Sequence, residues 1–573
     1  MHLITTLFFF LGQDIPALLI VLFVAAFLLV SLHKSGRIVA LRLRFADGTT
    51  EATGYRRMML ACAAAAGALC LLIGTVVFRS FPLGIDEKMV FYDAYIFSHG
   101  VLAAPIPEIF RDLIDVFDVR FVKTTPDHSL HHSMYLPVNA LLHLPFIAIG
   151  LPNLIDALMV AGTVVVTYDI IRKLLPEHPD AALFGGLMLA TSPQILLTGA
   201  TVYAMTAHLF LDMLWLRLMM SDRRFSWALA IIIGFLSSGL HQWAYFPFFV
   251  VGFLWEWWRS RDYPRLIAAM LPAVLGVLVW SRYRHFSLPD FWVAAMPAHG
   301  NQTLLAQAQA FGSALAPSIA LVLEHLRAPV EHENQAWLMP YNLFRFVVWQ
   351  NPALWFAVVA GYPLWKQVIQ VRAIMLSMLA MGLIVTLFVP FQGHGWGYRY
   401  LHHFLGGLSL CGAYGYHRLM QNKTAWPLML LQLAKSVRLW CAVTLLAVLP
   451  YLVSVSGLYN WPYWKIDREL SAIKADFILL DTIDLPYPFD FVLNDPFYIK
   501  RPLRLYSLKL ELPMIDKICA MGTVHFYRPK TPFDSSDAER KEHLPELIYR
   551  LLDPQTWRQK GCRLVDAQGH PLP

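Results

Sequence analysis

Residues 58–87 read MMLACAAAAGALCLLIGTVVFRSFPLGIDE. The apolar run over 58–79 leaves a loop carrying Arg56 and Arg57 and gives out just before the acidic pair Asp86-Glu87. A hydrocarbon layer about 30 Å thick is crossed by roughly 20 apolar residues in helical form, so 58–79 reads as a membrane span. Basic residues concentrate in cytoplasmic loops, which makes this span an outward one and sets Asp86-Glu87 at the outer surface. A carboxylate held in lipid costs roughly 2.5–3.5 kcal/mol on insertion scales. The pair therefore faces water, a partner or a substrate.

The same pattern repeats along the chain. Hydrophobic residues make up 57% of the 573, charged residues only 15%, and mean hydropathy is +0.50. That composition excludes one soluble core and places the chain among all-α polytopic membrane proteins. The net charge of +7 would suggest an anionic partner in a soluble protein. Here Lys and Arg sit in short loops between apolar runs, so they report orientation rather than nucleic-acid binding.

A first span at about 14–32 is followed by Arg37, Arg42, Arg44, Arg56 and Arg57, which reads as an anchor with its N-terminus outside. Alternating runs follow at 153–174, 181–200, 202–220, 225–240, 243–258, 265–281, 343–365, 373–390, 401–418 and 438–456. With the first two, about twelve transmembrane helices result. The stretch 134–150 is apolar but short and broken by Pro137 and Pro145, so it reads as an interfacial helix.

Three stretches are expected. Residues 1–57 form an anchor helix and a basic cytoplasmic loop, and 58–456 form the membrane domain with an external acidic loop at 80–152. Residues 457–573 are richer in Tyr, Pro and charge, and read as a small external α/β C-terminal domain. Within that tail, Phe477–Leu480 and Phe491–Leu493 look like short strands. Cys519 and Cys562 fall there too, where an oxidising compartment allows a disulfide that spacing alone does not establish. Cys62, Cys70, Cys411 and Cys441 lie in spans as small apolar residues.

Outward-facing polar groups gather on one side. The first external segment holds Asp86, Glu87, Asp93, Asp127, His128, His131 and His132, and later exits add His241, His394, Tyr398 and Arg399. Acid, imidazole and guanidinium together suit deprotonation of a nucleophile and handling of an anionic leaving group. Residues 85–100 read as a short helix, with Asp86 as its cap and Gly100 as its stop. The bland reading of Asp86 is that capping role alone. For Arg399 it is anchorage of a span end at the interface, and for His241 a structural hydrogen bond. The tract Asp127–His132 offers carboxylate and imidazole, yet a His-rich external loop is the commoner meaning. No metal is assigned, and a divalent metal stays open as a cofactor.

These residues also carry a family resemblance. Asp86-Glu87 with Tyr92, Ala94-Tyr95 and Gly100 resembles the first-loop signature of GT-C superfamily integral membrane glycosyltransferases, such as protein O-mannosyltransferases and lipid A aminoarabinose transferases. His131-His132-Ser133-Met134-Tyr135-Leu136 is similar to their His-Pro-Pro-Leu-Tyr-like element, with Ser133-Met134 in place of Pro-Pro. Gly397-Tyr398-Arg399-Tyr400 is similar to a later outward Gly/Arg/Tyr motif. The match covers roughly 58–456, and it leaves the N-terminal span as an addition.

The resemblance implies a glycosyltransferase that moves a sugar from a polyprenyl-phosphate donor to a glycan, lipid or protein acceptor. The transfer would take place on the outer face, in a bacterial inner membrane with the site and C-terminal domain periplasmic. Asp86 is the expected general base of an inverting displacement, with Glu87 as second choice. His131, His132, Tyr135, His241, His394, Tyr398 and Arg399 are the expected substrate-binding residues, with Arg399 facing the lipid phosphate because its charge is permanent and its donors form a planar fork. A lipid-linked sugar flippase or other transporter is the alternative, and it would carry ionisable residues or helix breaks at mid-bilayer depth. An O-antigen polymerase-like protein is the other.

Overall fold

The computed structural model describes residues 2–35, 51–117, 121–242, 244–286, 338–388, 392, 395–481, 489–529 and 546–572. Among the described residues six helices are long and apolar enough to cross a membrane: Thr6–Ser31, Thr53–Val77, Leu154–Leu174, Tyr263–Trp280, Ile369–Thr386 and Val437–Ala472. The chain is an integral membrane protein, mostly helical.

Several expected spans take another form, each for a visible reason. The run 181–200 is two helices, Pro179–Ala190 and Pro193–Thr198. Ser192 caps the second by accepting from the Ile195 N–H at 3.3 Å, and Pro193 has no N–H with which to continue the first. The run 343–365 is likewise Leu338–Val348 and Pro352–Leu364, bent by 104° where Asn351 caps and Pro352 begins the second piece. Residues 134–150 form an 11-residue helix, Val138–Ala148. That is too short to span. The first span begins before residue 14 and keeps Asp14 fully buried against Arg345, at 3.4 Å.

The chain divides into two compact units. One comprises His2–Arg79 and Asn153–Val455, and among its described residues every regular element is a helix. Its helices approach closely where side chains vanish. A Cβ added at Gly415 in the Leu405–Met420 helix would fall 1.7 Å from the Ala357 carbonyl of the Pro352–Gly361 helix. Small residues at such crossings let dispersion act between backbones, the main attraction left when lipid is as apolar as Leu.

The other unit joins Ser80–Pro152, the segment expected as an external loop, to Ser456–Pro573. The reason is a shared core. Ile106, Phe110, Leu113, Val116 and Phe117 of the first segment pack with Phe477, Leu503, Ile515, Val524 and Trp557 of the tail. The unit holds two sheets, and the strands of the second supply part of this core. The first is antiparallel in the order β1-β3-β2, from Ala104–Pro105 (β1), Val122–Thr124 (β2) and Leu130–Ser133 (β3).

The second sheet is parallel throughout, in the order β5-β4-β6-β7, from Phe477–Leu480 (β4), Leu503–Tyr506 (β5), Thr523–Tyr527 (β6) and Arg563–Leu564 (β7). Phe-Ile-Leu-Leu in β4 is buried at every position, as a central parallel strand covered on both faces requires. Phe491–Leu493, expected as a strand, instead contributes to a one-turn helix, Phe489–Val492. Cys519 and Cys562 are joined in a disulfide between the Leu512–Met521 helix and the start of β7.

Candidate active site

The acidic pair opens the helix Ile85–Ser98, as its spacing predicts, but the cap differs from expectation. Gly84 is the N-cap residue, and Asp86 lies inside the first turn. Glu87 folds back to accept from the Leu83 N–H at 3.0 Å and the Gly84 N–H at 3.5 Å. Asp490 accepts from the Ile85 N–H at 2.8 Å. Two carboxylates thus satisfy donors that a helix start leaves without intrahelical partners. Gly100 ends the helix as expected, with φ +75° and its N–H on the Phe97 carbonyl at 2.9 Å.

This arrangement separates the two acids. Glu87 is 2% exposed and engaged in the cap, whereas Asp86 is half-buried and accepts a short hydrogen bond from the Tyr135 hydroxyl. Tyr135 is itself held: its N–H donates to Ser133 Oγ at 2.9 Å, and its ring stacks on Phe121. One helix turn pair further on, Asp93 accepts from the Ser133 N–H at 3.2 Å. Asp86 and Asp93 are seven residues apart on one helix and share a face toward the segment 131–135. Sequence reading placed Asp93 outside the membrane but gave it no role; the seven-residue spacing from Asp86 was its signal.

His131 and His132 are both buried, on successive positions of β3, where side chains point to opposite faces. His131 Nε2 lies 2.6 Å from the Pro496 carbonyl, which only accepts, so Nε2 carries the proton. Nδ1 then accepts from the Tyr92 hydroxyl at 3.1 Å. The imidazole is neutral, and burial lowers its pKa to about 4. Its two nitrogens tie the helix to the 496–498 loop, where the Tyr498 ring also stacks on it.

Burial pushes the Asp93 carboxyl the other way, up to about 7, against the two hydrogen bonds from Ser133. A sign follows for each group. Folded Asp93 keeps its proton where the unfolded chain has lost it, so its contribution to stability falls as pH rises from about 4 through about 7. Folded His131 refuses a proton that the unfolded chain binds, so its contribution rises from about pH 4 to about 6.5. Across pH 4–6.5 the two oppose each other. Thermal melting of Asp93→Asn over that range should therefore show stability rising more steeply with pH than in the wild type, and His131→Gln should show it falling. Parallel pH profiles for all three proteins would contradict this placement of the protons.

The other expected substrate residues belong to the helical unit, apart from His394, which lies outside the described residues. The Gly395–Arg399 turn is built on two glutamines. Gln194 Nε2 donates to the Tyr398 carbonyl at 2.8 Å, and Gln392 Nε2 donates to the Gly397 carbonyl at 2.8 Å. Gly397 has φ +67° and its missing Cβ would collide with Gln194 at 2.5 Å, so only glycine fits there. Arg399 is 5% exposed, donates through Nη2 to the Gln392 carbonyl, and lies 4.6 Å over the Tyr203 ring. Tyr398 is fully buried.

His241 is half-buried at the edge of a cluster that sequence reading saw only in part. Its ring is 6.1 Å from Tyr245, which stacks on His208 at 4.7 Å. Asp212 accepts from Ser237 Oγ at 2.7 Å and faces His403 Nδ1 at 3.2 Å. Asp212, four residues after His208 on the Ala204–Met219 helix, was missed; the i, i+4 pairing of acid and imidazole was the signal that pointed to it. Among the described residues no group of three His, Cys, Asp or Glu side chains is arranged to hold a metal ion. In the 127–132 tract, Asp127 is bonded to Ser129, His128 to the Arg111 carbonyl and His131 to Pro496.

No protein family and no curated protein matches the sequence. Solved structures do. ArnT from Cupriavidus metallidurans bound to undecaprenyl phosphate is 13% identical, with a TM-score of 0.48 over 79% of this chain and 85% of that one. ArnT from the same organism in the apo state is 12% identical, with a TM-score of 0.46 over 79% and 86%. These neighbours are of the lipid A aminoarabinose transferase type that the sequence motifs resemble.

Proposed function

We propose that the chain is a membrane glycosyltransferase that takes a sugar from a polyprenyl-phosphate donor and passes it to a glycan, lipid or protein of the cell envelope, with Asp86 as general base. The observation that carries this reading is the division of labour in the acidic pair. Glu87 closes the helix start, whereas Asp86 lies in the first turn outside that cap, half-buried and oriented by the Tyr135 hydroxyl. In this reading Asp86 takes the proton of an acceptor hydroxyl as its oxygen bonds to the anomeric carbon. The bond from that carbon to the phosphate oxygen breaks, and polyprenyl phosphate leaves as a stable anion that needs no proton. A single displacement inverts the anomeric centre.

Glu87, His131 and His132 act in this reading by shaping the loop, and Tyr135 by orienting Asp86. Arg399, with Tyr398, His241 and His394, is assigned to the donor, and the buried guanidinium suits its phosphate. The topology that goes with the proposal has about twelve spans. The acidic loop and the 457–573 domain lie outside, on the periplasmic face of a bacterial inner membrane.

The buried Asp212–His403–Ser237 group favours a second reading, transport of a lipid-linked sugar, because ionisable side chains within spans mark transport pathways by default. The two are separated by supplying purified protein in sealed proteoliposomes with a panel of polyprenyl-phosphate sugars and extracted envelope acceptors. Acceptor-dependent release of free polyprenyl phosphate is the expected result. Movement of intact donor across the bilayer without release would establish the transporter and end the transferase reading.

A further inference from the structure

A cavity of about 500 Å³ lies wholly within the unit formed by Ser80–Pro152 and Ser456–Pro573. It lies along the Lys88, Phe91, Tyr92 and Tyr95 side of the Ile85–Ser98 helix, three- and four-residue spacings that share a face. Four cations line it, Lys88, Lys500, Arg501 and Arg504, against two carboxylates, Asp467 and Asp495. One carboxylate is neutralised in place, since Arg504 Nη1 pairs with Asp467 Oδ1 at 2.7 Å and also donates to the Phe491 carbonyl at 3.0 Å. That leaves an excess of positive charge.

Three features say what chemistry the cavity takes. Lys500 and Arg501 are exposed at the lining, and among the described residues neither has a carboxylate within ion-pair distance; their contacts are rings, Tyr95 at 4.7 Å from Lys500 and Phe110 at 5.5 Å from Arg501. Lys88 is 7% exposed, with the Asp490 carbonyl accepting one of its three N–H donors. Asp495 receives the Ile499 and Lys500 N–H groups on Oδ2 at 2.7 and 3.2 Å, while its buried Oδ1 has no hydrogen-bond partner among the described residues. A buried acceptor left unmet is costly, and more so when charged, a cost that a donor from a bound molecule would offset.

Cations suit an anionic group, an open carboxylate oxygen suits a hydroxyl, and tyrosine rings suit the apolar face of a pyranose. We infer that this cavity binds a negatively charged saccharide, a sugar bearing a phosphate or a carboxylate. The anionic group meets Lys500 and Arg501 at the mouth, and a ring hydroxyl donates to Asp495. The inference goes beyond the transferase reading and does not need it, because binding is measured with no transfer taking place.

The test uses the full chain in nanodiscs and titrates glucose 1-phosphate, glucuronate, glucose, inorganic phosphate and farnesyl phosphate by calorimetry. Both acidic sugars should bind at least tenfold more tightly than glucose, a difference of about 1.4 kcal/mol. The double variant Lys500→Met/Arg501→Met should lose at least that factor for both, with an unchanged melting temperature, since both side chains are exposed. Asp495→Asn should weaken the acidic sugars more than inorganic phosphate. Equal binding of glucose, or acidic-sugar binding untouched by the double variant, overturns the inference. Farnesyl phosphate binding that the double variant abolishes, with glucose 1-phosphate binding unaffected, would assign the cavity to a lipid carrier and overturn it equally.

Discussion

Asp86→Asn is expected to reduce acceptor-dependent release of polyprenyl phosphate by roughly a hundred- to ten-thousandfold, the range that a positioned general base contributes. The amide keeps an oxygen that accepts from the Tyr135 hydroxyl, so the loop and its stacking on Phe121 persist and the melting temperature should stay near that of the wild type. What is lost is the capacity to take a proton. Glu87→Gln is the informative contrast. Its carboxamide oxygen still accepts from Leu83 and Gly84, and removing a negative charge from a helix N-terminus costs about 0.3–1 kcal/mol of stability. The two variants should therefore separate, one in rate and the other in melting temperature. Initial rates and thermal melts on the same preparations decide it. An Asp86→Asn protein that transfers as fast as the wild type removes Asp86 from the chemistry.

The helix that presents Asp86 was legible because its signals are local: an acidic first turn, an apolar-aromatic body and Gly100 as the stop. Its cap was not, since Glu87 folds back on Gly84 and Asp490 arrives from a segment some four hundred residues later in the chain. The same limit applies to the domains. Hydropathy separates apolar spans from polar segments but carries no record of which polar segments share a core, so the packing of Phe110 and Phe117 with Phe477 and Trp557 was invisible. Spans were overcounted in length where a short-range breaker sits inside an apolar run, as at Ser192-Pro193 and Asn351-Pro352. Those dipeptides were readable, and the apolar average outweighed them. Both histidines of the 131–132 motif were found by pattern, while the tautomer of His131 depends on a proline carbonyl that only the fold brings to it.

Asp14 shows the same limit with an energetic consequence. The first span was expected to begin at about residue 14, whereas the helix runs through Asp14, over Thr6–Ser31, and a charge held in hydrocarbon is costly. The cost is met within the helical unit. Arg345 Nε stands 3.4 Å from Asp14 Oδ1, Trp349 Nε1 donates to the same oxygen at 2.6 Å, and the Tyr341 hydroxyl donates to Oδ2 at 3.1 Å. Arg345→Met removes the one positive charge from this group and leaves a buried carboxylate uncompensated, a change worth about 3–5 kcal/mol when a buried pair is broken. The expected result is a large fall in melting temperature or in the yield of folded protein. Asp14→Asn/Arg345→Met should recover most of that loss, because the amide oxygen still accepts from Trp349 and no charge remains to be compensated. Recovery in the double variant separates electrostatics from packing: if Arg345 mattered only for the space its side chain fills over Phe9 and Trp349, the second substitution would restore nothing.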